Sequence, residues 1–238
     1  MQQLDAIKAQ LASEPDGQLS TTDPHARAMA TSRPGSAVMR YNVQTVVDAK
    51  NHLIVAHEVT NDSSDRAQLS KMAVVSREAM GVTELHAIAD RGYYNGVELK
   101  ACEDEGIAAL VPKPMTSNAK AEGRFDKADF IYIARDDEYQ CPAGQRAVHR
   151  FTTDERGQQI RLYWSSACPR CPMKEQCTIS AYRRIRRWEH EAVMESVQRR
   201  LTHVGTEMSL HVLAYNWKCV MRILGIGPLM QAMKVMGA

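Results

Sequence analysis

The chain has 238 residues, of which 44% are hydrophobic and 24% are charged, enough apolar side chain for the core of one or two globular domains. No stretch approaches the ~18 apolar residues of a membrane helix, and the first residues lack the basic and apolar blocks of a secretory signal. We therefore expect a soluble cytoplasmic protein without a membrane partner. The net charge is only +2, so any polyanion site must be sought in local charge.

Residues 1–39 are predicted to be polar and largely irregular. Turn-forming Pro, Gly, Ser and Asp residues recur at 15–17, 20–24 and 32–35, and only a short helix at 4–11 is indicated. Regular structure is expected to begin at Tyr41.

Residues 40–115 are predicted to form an α/β core. β-branched residues alternate with polar ones in two stretches, which is typical of a hairpin, and helical periodicity then alternates with short apolar strands. The predicted elements are strands at 41–47 and 53–60, a helix ending at Gly81, a strand at 85–89, a helix at 95–106 and a strand at 107–111. Strands joined through a helix pair in parallel by a right-handed crossover.

Residues 116–182 are predicted to be a linker followed by strands at 130–133 and 160–164 that bracket a cysteine-bearing segment. Residues 183–238 are predicted to be a basic segment and C-terminal helices, over 189–201 and 206–224.

Asp90 is the first candidate for chemistry. It follows the buried strand at 85–89 and precedes Gly92, and ligands and catalytic groups gather at the carboxyl ends of parallel strands. By itself, an aspartate at this place more often caps the next helix or accepts turn hydrogen bonds.

The stretches 41–69, 84–107 and 206–225 closely resemble bacterial insertion-sequence transposases of the DDE, RNase H-like superfamily. Asp90-Arg91-Gly92-Tyr93 matches the family's Asp-x-Gly-Tyr box, whose Asp is the second of three catalytic acids. The resemblance implies an RNase H-like mixed sheet with flanking helices, and DNA at insertion-sequence ends as substrate. It also implies two Mg²⁺ or Mn²⁺ ions, held by three carboxylates, that drive DNA cleavage and strand transfer.

The chain departs from this family at two places. Nothing between Met1 and Met39 resembles the first strand, which bears the first Asp, and 198–206 runs into the last helix without the family's Glu box. The resemblance therefore implies a truncated, internally deleted and inactive fragment, of which only Asp90 remains catalytic. Without the central first strand, its two neighbours must close on each other, or the fragment associates as a homo-oligomer or with a full-length transposase.

Other acids are weaker candidates for the missing ligands. Asp48 is interpreted as a turn residue at the opposite end of the sheet, and Asp62 and Asp65 as caps of the following helix. Four glutamates on the later helices fit ordinary solvated faces, although any of them could approach the site: Glu189, Glu191, Glu195 and Glu207.

Four cysteines form a second candidate site. Cys168 and Cys171 make a C-x₂-C pair, and Cys141 and Cys177 lie outside it at looser spacing. Four thiolates from two loops suit a structural Zn²⁺, and His149 and His190 are conceivable substitutes. The alternative is a set of reduced, partly buried thiols. Cys102 and Cys219 lie on apolar helix sides and are interpreted as core residues.

Arginines concentrate beside aromatic residues, and they predict contact with the DNA backbone. Tyr182 and Trp188 are interleaved with this basic segment. The alternative interpretation is that the arginines are ordinary solvent-exposed surface residues. The candidate DNA-binding residues are Arg183, Arg184, Arg186, Arg187, Arg199 and Arg200.

Three functions remain open from the sequence. The first is an inactive DDE transposase fragment. The second is a non-catalytic DNA- or zinc-binding protein derived from a transposase, and the third is a small nuclease with a substitute carboxylate near Asp90.

Overall fold

The structure is a computed structural model, which describes residues 2–14, 17–30, 35–114 and 119–202. The predicted helix at 206–224, with Glu207 and Cys219, lies outside the described residues. Within the described part of the chain, no helix is long and apolar enough to cross a membrane.

The N-terminal part contains more regular structure than the predicted helix. Helix α1 spans Gln2–Ser13, and strands β1 (Arg27–Ala30) and β2 (Ala37–Arg40) form an antiparallel hairpin. The side chain of Met29 in β1 is buried. Strand β1 therefore contributes apolar packing that the many turn-forming residues nearby concealed in the sequence.

The next six elements agree with the predicted order. They are β3 (Asn42–Val47), β4 (Ile54–Thr60), α2 (Leu69–Met80), β5 (Leu85–Ile88), α3 (Gly96–Asp104) and β6 (Ile107–Leu110). Gly81 ends α2 in the left-handed conformation with φ of 62°, which glycine adopts without strain. The side chain of Asn95 caps α3 by accepting a hydrogen bond from the Val97 backbone.

These four strands do not form one mixed sheet. β3 pairs antiparallel with β4, and β5 pairs parallel with β6. Among the described residues, no strand pairs with the other edge of β3 or of β5. Both edges line a groove of about 440 Å³ whose wall includes apolar residues of α2 such as Leu69 and Met72. The mixed α/β class is confirmed, while β3 and β5 do not close on each other.

Five antiparallel strands form a second sheet. They are β7 (Ile131–Ile133), β8 (Glu138–Gln140), β9 (Arg146–Glu155), β10 (Gln158–Trp164) and β11 (Ile185–Trp188), in spatial order β11-β10-β9-β8-β7. The predicted strands at 130–133 and 160–164 correspond to β7 and β10. Phe130, Tyr139 and Tyr163 lie in its core.

The basic segment forms a strand and not the beginning of a helix. Ile185–Trp188 is β11, which pairs antiparallel with β10, and helix α4 covers residues 191–202. Ile185 is buried and Arg186 is exposed, so the segment has the alternation of a strand.

Helix α4 connects the second sheet to the first core. Val197 is fully buried against Leu99 and Cys102 of α3. Trp188, which precedes α4, lies so close to Gly96 that a Cβ atom there would be 2.9 Å from its ring. The two parts of the molecule are therefore packed directly on each other.

Candidate functional site

Asp90 lies just beyond β5, in the loop before α3. Its Oδ1 accepts a hydrogen bond of 2.6 Å from the backbone of Gly92 and so caps the short 3-10 turn Arg91–Tyr93. Gly92 has no room for a side chain, because a Cβ atom would lie 2.8 Å from Asp90 Oδ1. The Asp-x-Gly-Tyr sequence thus fixes the Asp90 carboxylate through a hydrogen bond within its own turn.

Asp65 is the second carboxylate at this place. It begins the 3-10 turn Asp65–Ala67, but the cap of that turn is Ser64, so the capping role expected for Asp65 is wrong. Its Oδ1 instead accepts hydrogen bonds of 2.7 Å from the side-chain amides of Asn42 and of Gln44. These amides on β3 orient the carboxylate from the opposite side of the loop.

The two carboxylates converge beside Gly92. A Cβ atom at Gly92, already in contact with Asp90, would lie 3.8 Å from Asp65 Oδ2. Burial, followed by the negative charges of Asp65 and Asp90, raises the pKa of Tyr93, and its hydroxyl donates to the side chain of Gln44. The site is therefore a pair of acidic side chains with the Tyr93 hydroxyl nearby.

The other acids have different partners. Asp48 is a turn residue, as predicted, because its carboxylate accepts from the backbones of Lys50 and Asn51. Asp62 accepts a hydrogen bond of 2.7 Å from the side-chain amide of Gln68. The capping role expected for Asp62 is wrong, because the N-cap of α2 is Gln68.

The described glutamates are likewise engaged elsewhere. Glu191 is buried and contacts Lys127 at 2.6 Å, Glu195 contacts Arg187 at 2.5 Å, and Glu189 accepts from the Gln159 backbone. Of the candidate acids that the structure describes, Asp65 is the one that lies beside Asp90, and no third ligand completes a metal-binding group there. This pair does not fit the three-carboxylate, two-ion centre of the family, and we derive no catalytic step from it.

The six predicted DNA-binding arginines fall into different environments. Arg187 is buried, donates to Glu195 and Tyr139, and lies over the Tyr132 ring. Burial lowers its pKa, but these hydrogen bonds outweigh that effect and raise it. The Arg187 guanidinium therefore stabilises the fold, and it is not accessible to a DNA phosphate.

Two more of the arginines have carboxylate partners, and one faces the cysteines. Arg186 pairs with Glu155, and Arg200 with Glu103. Arg183 lies over the Phe130 ring beside the cysteines. Arg199 and Arg184 are exposed, and within the described part of the chain no carboxylate forms an ion pair with either.

An exposed aromatic surface surrounds Arg184. The guanidinium carbons of Arg184 and Arg150 lie 5.7 and 5.6 Å from the centre of the Trp164 ring. Phe151 and Tyr182 contact the same indole, with ring centres 5.9 and 6.2 Å away. We name these five residues the Trp164 patch. The sequence indicated Tyr182 and Arg184. It gave no signal for the other three, because strict alternation would place Arg150 and Phe151 on opposite faces of β9, and the register shift opposite Arg150 appears only in the strand pairing.

The four candidate zinc ligands meet at one cavity. Cys141, Cys168, Cys171 and Cys177 all line a cavity of about 30 Å³, and all are free thiols. Burial raises the pKa of Cys177, with smaller contributions from the other three cysteines. His149 and His190, the conceivable substitutes, instead contact Tyr163 and Trp188.

The four thiols line one cavity but do not form a metal-binding group in the structure. Over residues 2–14, 17–30, 35–114 and 119–202, no group of three or more His, Cys, Asp or Glu side chains is close enough to hold a metal ion. The structure thus brings the four cysteines to one place without forming a coordination sphere.

Comparison with known proteins gives one match, which covers part of the chain. Residues 140–218 match the family model of a transposase DDE domain. The matched range contains the four cysteines and the six arginines, but neither Asp65 nor Asp90. No curated protein and no solved structure matches the chain. The match, together with the mixed α/β fold, supports a transposase-type protein, for which the family implies DNA as partner.

Proposed function

We propose that the chain is a DNA-binding protein derived from an insertion-sequence DDE transposase and that it catalyses no strand transfer. One observation carries this proposal: Asp90 and Asp65 lie close together at Gly92, but the described residues contain no group of three acidic or other metal-ligating side chains that could hold an ion. A two-metal phosphodiester transfer needs ligands for two ions about 4 Å apart, for which the family uses three carboxylates. Two carboxylates leave such a centre incomplete.

DNA binding is assigned to the Trp164 patch. The exposed guanidinium of Arg184 suits a phosphate, and the exposed rings of Phe151 and Tyr182, which flank the half-buried Trp164, offer faces on which unpaired bases stack. Arg150 donates to the Trp164 carbonyl and to Ser166, so it positions the indole. In contrast, Arg186 is engaged by Glu155, which lowers its value as a phosphate contact.

The experiment combines a binding assay with a strand-transfer assay on the full chain. We expect binding of single-stranded DNA that weakens steeply with salt, and no joined product with Mg²⁺ or Mn²⁺. Arg184→Ala and Trp164→Ala should each weaken binding about tenfold, since one stacked base contributes ~1–3 kcal/mol. Arg186→Ala, with the same change in charge, is the matched control. Joined product that disappears in Asp90→Asn would contradict the proposal.

A metal-dependent nuclease is the second candidate, because Asp65 and Asp90 converge on one point. Divalent ions such as Mg²⁺ prefer carboxylate ligands. This function predicts DNA nicking that requires a divalent ion. The nicking should be lost in Asp65→Asn and in Asp90→Asn and retained in Asp62→Asn. Absence of nicking in the unaltered chain rejects it.

The edges of β3 and β5 that have no partner strand among the described residues support an association with a full-length transposase. An extended strand from that partner would supply hydrogen bonds to both edges of the groove and pack on apolar residues of α2. Co-purification with a transposase of the same insertion sequence would support this association if Ile88→Pro in β5 abolishes it, because Ala89 donates to Leu110 of β6 and the N–H of Ile88 therefore faces the other edge. A chain that stays monomeric in light scattering when the transposase is added would exclude this association.

A further inference from the structure

Two separate loops carry the four cysteines to the cavity. Cys141 begins a tight turn in which Gly144 donates to the Cys141 carbonyl and has φ of 74°. The second loop follows β10 through successive turns, with Cys171 donating to Cys168 and Cys177 to Lys174. Together, the two loops place four thiols around the same space.

The cysteines are the main groups in this cavity that could bind a metal ion. Its other walls include Phe125, Phe130 and Ala147, and both histidines that could replace a cysteine lie elsewhere. None of the four cysteines forms a disulfide. Four thiols in a largely apolar pocket are the ligand set of a structural zinc site, which is four-coordinate and closed.

Arg183 provides a second, independent observation. Its side chain lines the same cavity, and its Nε is buried without a hydrogen-bond partner in the described structure. A buried donor that lacks an acceptor is unfavourable by ~1–3 kcal/mol. A zinc ion with four thiolates carries a net charge of about −2, and its sulfur atoms accept hydrogen bonds, so it satisfies both the charge and the donor of Arg183.

We propose that Cys141, Cys168, Cys171 and Cys177 bind one Zn²⁺, which ties the loop after β10 to the turn before β9. Binding forms four Zn–S bonds of about 2.3 Å, and the thiol protons pass to solvent. The side chains rotate inward from their positions around the cavity. With no coordination position left for substrate, the ion stabilises the second sheet and takes no part in catalysis.

The proposal of this zinc site does not rest on the proposed function. The zinc would hold β9 and β10 relative to the loop that bears Tyr182 and Arg184, and so it would support the Trp164 patch. A chain that contains zinc but does not bind DNA would therefore contradict the proposed function and leave the zinc site standing. A chain that binds DNA but contains no zinc would contradict the zinc site alone.

The test uses the full chain, expressed with added zinc and purified without chelators, with metal content measured by elemental analysis. We expect about one zinc per chain, and less than about a tenth of that in Cys168→Ser and in Cys171→Ser. Cys102→Ser, which changes a buried thiol of the first core, is the matched control and should retain its zinc. A folded unaltered chain without zinc would overturn the proposal, as would equal loss of zinc in Cys102→Ser.

A second measurement covers variants that fail to fold. In the unaltered chain, a chelator should expose four thiols to a thiol-reactive dye, and added zinc should protect them again. Replacement of zinc by Co²⁺ should give the visible absorption of a tetrahedral cobalt–thiolate site. Thiols that react equally fast with and without zinc, or a cobalt spectrum without thiolate bands, would overturn the assignment.

Discussion

Asp65 and Asp90 direct their carboxylates at one position beside Gly92, although they lie in different loops. Asp90 is held there by the turn Arg91–Tyr93, whereas Asp65 is held by the amides of Asn42 and Gln44. The position of the Asp90 carboxylate depends on residues adjacent in the chain, whereas the position of the Asp65 carboxylate depends on β3 packing near the loop. This relationship determines how many ions the site can hold.

We predict that the pair binds no more than one divalent ion. Two carboxylates supply too few oxygens for two hard cations, each of which takes about six ligands. Titration with Mn²⁺, followed by the relaxation of water protons, should show at most one ion per chain at this place. Asp90→Asn, which keeps the cap of the turn, should abolish that binding, whereas Asp62→Asn should leave it unchanged. Two Mn²⁺ ions that both disappear in Asp90→Asn would contradict the prediction.

Arg187 is predicted to stabilise the fold. Its buried guanidinium contacts Glu195 at 2.5 Å and the Tyr139 hydroxyl at 3.2 Å. Arg187→Met should lower the free energy of unfolding by ~2 kcal/mol, the contribution of a hydrogen-bonded charge. Arg186→Met is the control, because its pair with Glu155 is exposed and should contribute less than ~1 kcal/mol. Urea unfolding measures both, and equal losses would show that Arg187 has no special structural role.

Gly96 is predicted to be required for the packing of the second sheet on the first core. A Cβ atom at this position would lie 2.9 Å from the Trp188 ring and 3.3 Å from Met194 Sδ. Overpacking of this kind costs ~1–3 kcal/mol, so Gly96→Ala should lower the midpoint of urea unfolding. Val97→Ala, at the exposed neighbouring position, is the control with a small expected effect. An unchanged midpoint in Gly96→Ala would mean that the tryptophan moves aside without cost.

Cys102 is predicted to make the fold sensitive to alkali. Burial, followed by the charge of Glu98, raises the pKa of this thiol from 9.0 to about 11. The folded state therefore keeps a proton that the unfolded chain loses. This contribution is fully present below pH 9, and it is lost as the pH rises from 9 to about 11. The loss is at most about 1.4 kcal/mol for each pH unit.

Comparison with Cys102→Ala isolates this effect, because the other alkaline groups are common to both chains. The stability difference between them should shrink as the pH rises through that window. A difference that stays constant from neutral pH to pH 11 would show that the thiol does not titrate differently on folding.

The order of elements from Tyr41 to Val111 was predictable because it depends on local patterns. Alternation predicts β3 and β4, Gly81 predicts the end of α2, and Asn95 predicts the start of α3. The strand character of 185–188 was missed, because its pairing with β10 is a tertiary contact that an arginine-rich segment does not reveal.

The sequence by itself determined the residue types at each site: the Asp-x-Gly-Tyr turn around Asp90, the spacing of the cysteines and the density of arginine. Only the tertiary structure decided which of these groups meet. It brought Asp65 to Asp90, gathered four thiols around one cavity, and buried Arg187 while leaving Arg184 exposed. The physical reason is that turns and caps depend on residues a few positions apart, whereas burial and long-range contact depend on how separate elements pack.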